Sequence, residues 1–375
     1  MDSDSNDPET LTKLHSRFVK HEDHYDISRW HLVLHPSIVK ECARNSLPKS
    51  IGQFFHPTQA VFAGEGGRKQ AWSSRSNRKH RYDHETSPGR HLRSFWHGVA
   101  NMRHLEYWNI SWWVAAFTVG SIVWVINGFA AFLPFCNSHF MKAMESPGWT
   151  AFLGATIFEI GSIFGILEVW NTNQTASFGQ NVGQALKPKA RQDTNETKHN
   201  SEKTAEEGSP TDTPSSEQDN AAPKQPWIWF STDPKFFHEI GFLAAFFQLL
   251  AASIFWISGF TAIPTIQNAL MNNKGLNDGI FWTPQVIGGT GFMISATFIM
   301  LEAQDVWWKP KITSLGWQVG VWNFVGAVGF ALSGAFGYAG TNHAAEYQSA
   351  LSTFWGGWGF LIGSVIQWYE CVNGS

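Results

Sequence analysis

Charged residues are scarce in this chain of 375 residues, at 15%, whereas soluble domains usually contain roughly 25%. Cysteine is also rare, and three residues cannot build a disulfide framework. The formal net charge of −3 is unlike the basic balance of nucleic-acid-binding proteins, so we expect no nucleic-acid partner. No apolar stretch follows Met1, and we therefore expect no cleavable signal peptide.

The sequence also lacks the common catalytic and metal-binding motifs. It contains no G-x-S-x-G, H-E-x-x-H or Walker sequence, and its apolar segments carry no paired Asp-rich motif of the kind that holds Mg–diphosphate. Three histidine pairs have a spacing that could bind zinc on a helix, but no cysteine joins them: His21–His24, His31–His35 and His80–His84. We therefore expect neither a cofactor nor a dedicated metal site.

Hydrophobic residues, by contrast, make up 43% of the chain, with 20 Trp and 30 Phe, and they are concentrated in six runs. None of these runs contains Lys or Arg, and most are long enough to cross a hydrocarbon core of about 30 Å. The sequence predicts an all-α membrane fold with six transmembrane helices, at approximately Trp112–Pro134, Ala151–Trp170, Gly241–Pro264, Val286–Leu301, Val319–Gly340 and Leu351–Trp368.

Two polar regions interrupt this pattern. Residues 1–110 hold 11 of the 15 histidines, and between residues 187 and 225 the only apolar residues are four Ala. Such segments cannot bury a core, which predicts disorder. The predicted organisation is a mostly disordered, His-rich and basic region at 1–110, hairpin 1 at 111–171, a disordered loop at 172–236, hairpin 2 at 237–306, hairpin 3 at 307–370 and a short tail at 371–375.

Basic residues predict the orientation. Twenty-five of the 27 Lys and Arg fall on one side of the predicted membrane, which the positive-inside rule makes cytoplasmic. Both termini, the loop and the tail are therefore expected in the cytosol, in an endomembrane or the plasma membrane. A cluster before the first span either attracts anionic lipids or only sets the orientation; it comprises Arg68, Lys69, Arg75, Arg78, Lys79, Arg81, Arg90, Arg93 and Arg103.

The three predicted hairpins resemble one another in sequence. The second spans align without gaps as GATIFEIGSIFGILE (154–168), GGTGFMISATFIMLE (288–302) and GGWGFLIGSVIQWYE (356–370), and the first spans as GSIVWVINGF (120–129), AASIFWISGF (251–260) and GAVGFALSGA (326–335). A recurrence in fixed register predicts a threefold internal repeat. Small residues let helices approach closely in lipid, and those expected to pack are Gly154, Gly161, Ser162, Gly288, Gly356, Gly363 and Ser364.

The F-x-x-G-S motif occurs as FTVGS (117–121) and FLIGS (360–364) in paired short spans. In this the chain resembles the YrhK-like membrane hairpin domain and fungal integral membrane proteins that carry repeated hairpins. The resemblance covers the membrane half only and implies six spans in three hairpins. It implies no activity, so no functional residue is carried over from it.

Four acidic residues are candidate functional groups. Glu159 lies near the middle of the second span, where an ionisable side chain is by default a functional candidate, as a proton donor or relay. The alternative is a structural group bonded to Gln248, Asn127 or Asn323. Glu168, Glu302 and Glu370 close the three second spans near headgroups or water, where they either form a cation site or pair with bases such as Arg103, Lys235 and Lys309.

Two functions remain open. The first is a non-enzymatic membrane protein with a scaffold- or transport-like role, in which Gln248 and the four acids are candidate polar or ion sites. The second is a membrane-embedded enzyme of the cyclase or isomerase type acting on a lipophilic substrate. There Glu159 would be the general acid, and Trp124, Trp256 and Phe330 would line an aromatic cavity. The absence of a second catalytic group favours the first.

Overall fold

The structure is a computed structural model. It describes residues 42–44, 47–52, 54–56, 58–63, 69–75, 92–103, 112–137, 146–171, 227–340 and 342–373. The three predicted zinc-binding histidine pairs lie outside these residues, as does most of the predicted disordered loop.

Each of six long helices coincides with one of the six predicted apolar runs, although two of these runs, Gly241–Pro264 and Val319–Gly340, continue past the end of their helix. The helices are α2 (Trp112–Cys136), α3 (Ser146–Trp170), α4 (Ile240–Thr261), α5 (Thr283–Ala303), α6 (Leu315–Gly337) and α7 (His343–Asn373). All six are long and apolar enough to cross a membrane, which confirms the prediction of a multi-pass membrane protein. Helices α3 and α7 begin earlier than predicted because their first turns are helical but polar, so hydropathy alone does not reveal them.

The six helices form a closed ring. Each helix packs against its neighbours in sequence, and α7 returns to pack against α2. Glycines allow this close approach: a Cβ atom at Gly359 on α7 would lie 2.7 Å from the backbone nitrogen of Gly326 on α6. In lipid such backbone contact replaces the hydrophobic driving force that assembles soluble bundles. We call the end where α3, α5 and α7 finish the carboxylate end, since Glu168, Glu302 and Glu370 lie there.

At the other end, the connections after α4 and α6 are irregular. After α4, the chain forms helical turns at Pro264–Leu270 and Lys274–Asn277 and a π-helical turn at Asp278–Trp282 that runs into α5. After α6, Gly340 adopts a φ of 59°, a left-handed conformation that glycine tolerates and that ends the helix. These turns keep successive helices antiparallel.

A small antiparallel sheet lies within the N-terminal region that was predicted to be mostly disordered. Strands β1 (Cys42–Arg44), β2 (Gln59–Ala63) and β3 (Lys69–Ser73) pair in that order. The sequence composition does not reveal this sheet, because its strands are short and are separated by polar and glycine residues. A helix, α1 (Leu92–Asn101), follows, and Asn373 at the end of α7 donates a hydrogen bond to the Gly98 carbonyl.

The end of the predicted disordered loop is also ordered. The Asn171 side chain, at the end of α3, exchanges two hydrogen bonds with the backbone of Ile228, at 2.7 and 2.8 Å. A 3₁₀ turn at Pro234–His238 then leads into α4, capped by Asp233. The chain therefore returns to the bundle near the point where it left.

Candidate functional site

Six aromatic side chains fill the axis of the helical ring, and we call them the aromatic plug. Trp124, Phe255 and Phe330, from α2, α4 and α6, form one triangle, with ring centroids 4.7–5.5 Å apart. A second triangle lies against it, built from α3, α5 and α7 with centroids 5.4–6.3 Å apart, and it consists of Phe158, Phe292 and Phe360.

The two triangles are stacked in register. Each ring of the first triangle contacts the ring of the same hairpin in the second, with the pairs Trp124–Phe158, Phe255–Phe292 and Phe330–Phe360 at 5.0–6.4 Å. These separations are those of favourable offset and edge-to-face ring contacts. All six rings are buried. The plug therefore closes the axis at mid-bundle, and no open pore passes through it.

A cavity lies between the plug and the carboxylate end, and we call it the axial cavity. Its floor is formed by rings of the plug, and the space within it that the centre of a water molecule can reach is ≈ 20 Å³. That volume is enough for one water molecule. Five polar side chains from α4, α5, α6 and α7 line it: Gln248, Ser295, Asn323, Ser364 and Gln367.

The serine hydroxyl groups in this wall already donate their protons to hydrogen bonds within the protein. Ser295 donates to the Ala244 carbonyl at 2.7 Å. Ser121 donates to the Phe117 carbonyl at 2.6 Å and lies 3.2 Å from Ser364, so Ser364 is the donor of that pair. A hydroxyl has one proton and two lone pairs. Towards the cavity, Ser295 and Ser364 can therefore only accept hydrogen bonds.

Beyond the cavity, the carboxylate end is closed by an ion pair with Arg75, the second residue after β3. Its Nε and Nη2 atoms donate to the two oxygens of Glu370 at 2.9 and 2.8 Å, and Nη1 lies 4.0 Å from Glu302. Ser74 donates to Glu302 at 2.7 Å. Glu168, the third acid, accepts a hydrogen bond from the indole N–H of Trp113.

The electrostatics of Arg75 follow from its burial beside two acids. Burial alone would lower the pKa of the guanidinium, but the charges of Glu370 and Glu302 and the hydrogen bonds to Glu370 outweigh it. The pKa of Arg75 is therefore raised above the ordinary arginine range, and the group remains charged. This charge-assisted bidentate pair fixes the N-terminal sheet to the bundle.

This arrangement differs from the expected one. Glu168, Glu302 and Glu370 are buried and do not reach bulk water. The described cationic partner of Glu302 and Glu370 is Arg75, not one of the three predicted bases. Lys235 pairs instead with Asp233, and Arg103 donates to a backbone carbonyl of its own helix. Within the described ranges, no group of three His, Cys, Asp or Glu side chains is arranged to hold a metal ion.

Glu159 lies apart from the axial cavity. One carboxyl oxygen accepts a hydrogen bond from Ser253 on α4 at 2.9 Å, and the other is enclosed with no hydrogen-bond partner among the described residues. The predicted partners Gln248, Asn127 and Asn323 do not bond to it. Ser253 is exposed on the outer side of α4. Glu159 therefore belongs to the contact between α3 and α4 near the lipid-facing side.

The three aromatic residues predicted to line a reaction cavity do not line the axial cavity. Trp124 and Phe330 are part of the plug, whereas Trp256 donates a hydrogen bond to Thr156 on α3 at 3.0 Å. Glu159 does not line the axial cavity. Glu159 and Trp256 thus lie at the contact between α3 and α4, whereas Trp124 and Phe330 fill the axis.

The predicted packing residues lie at helix contacts. The closest neighbours of an added Cβ would be Trp124 for Gly154, Phe117 for Gly161, Phe255 for Gly288, Phe330 for Gly356 and Asn323 for Gly363. Ser162 is buried and donates to the Phe158 carbonyl of its own helix, and Ser364 contacts Ser121. These small side chains make room for the plug and for the walls of the axial cavity.

Sequence reasoning does not single out Arg75, Trp113 or Gln367. Arg75 is one of the nine bases in the cluster before the first span, and nothing local marks it as a partner of distant acids. One signal was available for the amides: Gln248 and Asn323 stand at equal positions in the repeat, seven residues before Phe255 and Phe330. Once the hairpins are known to surround one axis, equal positions of the repeat lie at one level.

Comparison with known proteins finds no family model, no curated protein and no solved structure that matches this chain.

Proposed function

We propose that this chain is a non-enzymatic membrane scaffold: a closed bundle of three repeated hairpins that holds its own N-terminal segment at the cytoplasmic surface. The observation that carries the proposal is the buried pair between Arg75 and Glu370, which ties the sheet to the bundle. The equivalent positions of the six plug rings support the repeat, and with it the resemblance to repeated membrane hairpins. Further contacts hold the sheet on the bundle; for example, the Gln59 side-chain amide donates a hydrogen bond to the Gln304 carbonyl at 3.3 Å.

A closed axis also argues against a constitutive channel. We expect liposomes that contain the purified protein to show no more proton or potassium permeability than protein-free liposomes, measured with a pH-sensitive dye and a potassium electrode. Flux through the wild-type protein that Glu159→Gln abolishes would contradict the scaffold function and support transport.

The carboxylate end is proposed to be cytoplasmic because most basic residues lie on that side. The chain provides its own reporters: Cys136 is exposed at one end of the bundle and Cys371 lies at the other. In single-cysteine variants, a membrane-impermeant maleimide added to intact cells or sealed organelles should label one site only. For a plasma-membrane protein that site is Cys136, and labelling of Cys371 instead would reverse the orientation.

A transport-like role is the second candidate, and the axial cavity favours it. The cavity is polar and central, and it lies on one side of a barrier, as expected for an occluded binding site. In such a protein the plug would have to separate to admit a solute. Proton or potassium flux into the liposomes that appears only when a gradient of an added solute is imposed would support this second function over a pure scaffold.

A further inference from the structure

The wall of the axial cavity has a definite chemical character. The amide side chains of Gln248, Asn323 and Gln367 line this space, and none of them forms a hydrogen bond with another described residue. Gln367 is 3% exposed. A buried amide without a partner costs about 1–3 kcal/mol. Gln248 and Asn323 are half-buried, so it is the buried amide of Gln367, with these two amides beside the same cavity, that indicates an occupant.

The wall favours an occupant that is positive or donates hydrogen bonds. Ser295 and Ser364 can only accept, as shown above, and each amide can turn its oxygen inward. The faces and edges of Phe117, Phe292 and Phe360 complete the wall, and aromatic faces attract cations. No lysine or arginine is among the described residues that line the cavity, so an anion would find no charged partner in this wall.

The size of the cavity limits the occupant to a single small species. The accessible space of ≈ 20 Å³ exceeds the 10–15 Å³ that one water molecule needs, but it leaves no room for an organic substrate. Divalent cations prefer carboxylate ligands, and none of the described residues that line the space carries one. Neutral carbonyl and hydroxyl oxygens are instead the groups that replace the hydration shell of monovalent cations in membrane proteins.

We propose that the axial cavity is a binding site for one monovalent cation of about the size of a water molecule, which is the size of potassium and ammonium. Amide oxygens of Gln248, Asn323 and Gln367 and hydroxyl oxygens of Ser295 and Ser364 are its ligands. Glu168 lies one side chain away, because it accepts a hydrogen bond from Trp113 in the cavity wall. The site is separate from the Arg75 ion pair and does not depend on the scaffold function.

The first experiment compares the thermal unfolding of the full-length protein in detergent in chloride salts of potassium, ammonium, sodium and N-methylglucamine at equal ionic strength. Binding to the folded state raises Tm with ion concentration. We expect potassium and ammonium to raise Tm by several degrees over N-methylglucamine, and sodium to raise it less. Equal Tm values in all four salts would mean that the cavity holds only water, which overturns the proposal.

Variants then locate the site. Gln367→Met keeps the volume of the side chain but removes a ligand, and it should abolish the difference between potassium and N-methylglucamine. Gln285→Met is the matched control: Gln285 is also a buried glutamine of a second span, but it bonds to Ser333 at 3.0 Å and does not line the cavity. Retention of the potassium effect in Gln367→Met, or its loss in both variants, would contradict the assignment.

A direct measurement covers the case in which Gln367→Met does not fold. Equilibrium dialysis of the wild-type protein with radioactive rubidium, a potassium surrogate, should give one bound ion per chain, displaced by ammonium and potassium. A stoichiometry near zero would overturn the proposal whatever the variants do.

Discussion

Replacement of Arg75 by Met tests whether the N-terminal sheet is held by the ion pair. The side chains of Arg75 and Glu370 are 11% and 5% exposed, and two bonds of 2.8–2.9 Å join them. Removal of one partner of a buried pair costs about 3–5 kcal/mol, because the other charge remains buried without compensation. We therefore expect Arg75→Met to weaken the docking of the sheet by about 3 kcal/mol or more.

Hydrogen exchange reads this change at defined amides. The amide of Ser74 donates to the Thr58 carbonyl at 2.9 Å, and that of His56 donates to the His238 carbonyl at 2.8 Å. Since every 1.4 kcal/mol corresponds to a factor of ten, their exchange should accelerate roughly 100-fold. Addition of Glu370→Gln removes the uncompensated charge and should restore part of the protection.

A matched control is available at the same end of the bundle. Lys311 and Asp305 form an ion pair at 3.1 Å whose side chains are 40% and 41% exposed. Exposed pairs contribute at most about 1 kcal/mol, so Lys311→Met should change exchange little. If the amides of Ser74 and His56 exchange at the same rate in Arg75→Met as in Lys311→Met, the ion pair does not hold the sheet and our reasoning is wrong.

The pH dependence of this contact follows from the direction of the pKa shift. The pKa of Arg75 is raised in the folded protein, so its contribution is fully present below the ordinary arginine pKa. It is lost only as the pH rises through the still higher folded value. Titration of Arg75 should therefore cause no loss of docking between neutral pH and pH values of about 10, which exchange measurements across that range can check.

Three further variants test the bundle itself. Phe360→Ala should lower the free energy of unfolding by about 3–5 kcal/mol, because it removes a ring from the plug, and unfolding in mixed micelles measures this. Gly359→Ala should destabilise the bundle by about 1–3 kcal/mol, because the added Cβ would strike the backbone of α6. Gly165→Ala is the control and should not destabilise it, because a Cβ there meets nothing within 4 Å. Equal effects of the two variants would refute the packing argument. Glu159→Gln keeps an acceptor oxygen and should change stability by less than about 1 kcal/mol, whereas a larger loss would show that the carboxyl group itself is needed.

The helices could be predicted from the sequence because hydropathy and length are local properties. The ring order and the stacked triangles could not, since they depend on which faces meet. The fixed-register repeat did indicate that residues such as Phe158, Phe292 and Phe360 are equivalent. It could not indicate that they share one axis.

The candidate site was predictable only in part. Glu168, Glu302 and Glu370 stood out as recurring acids, but their depth was misjudged because hydropathy does not show that Trp113 covers Glu168 and that Ser74 and Arg75 cover the other two acids. Arg75 could not be identified, since its partners lie more than 200 residues away in sequence. Glu159 stood out because it lies at mid-span. Its partner Ser253 could not be predicted, because hydropathy does not show which side of α4 faces α3.

The ring order of the helices also bears on how the chain can be cut and rejoined. Helix α2 begins and α7 finishes at the same end of the bundle, and the two helices are neighbours. A linker between these ends, with new termini in the 172–226 segment, would therefore preserve every helix contact. Circular permutation and co-expression of hairpin 1 with the remaining two hairpins as separate polypeptides should both rebuild the same bundle. The topology of the membrane half therefore allows the three hairpins to follow one another in more than one order along the chain.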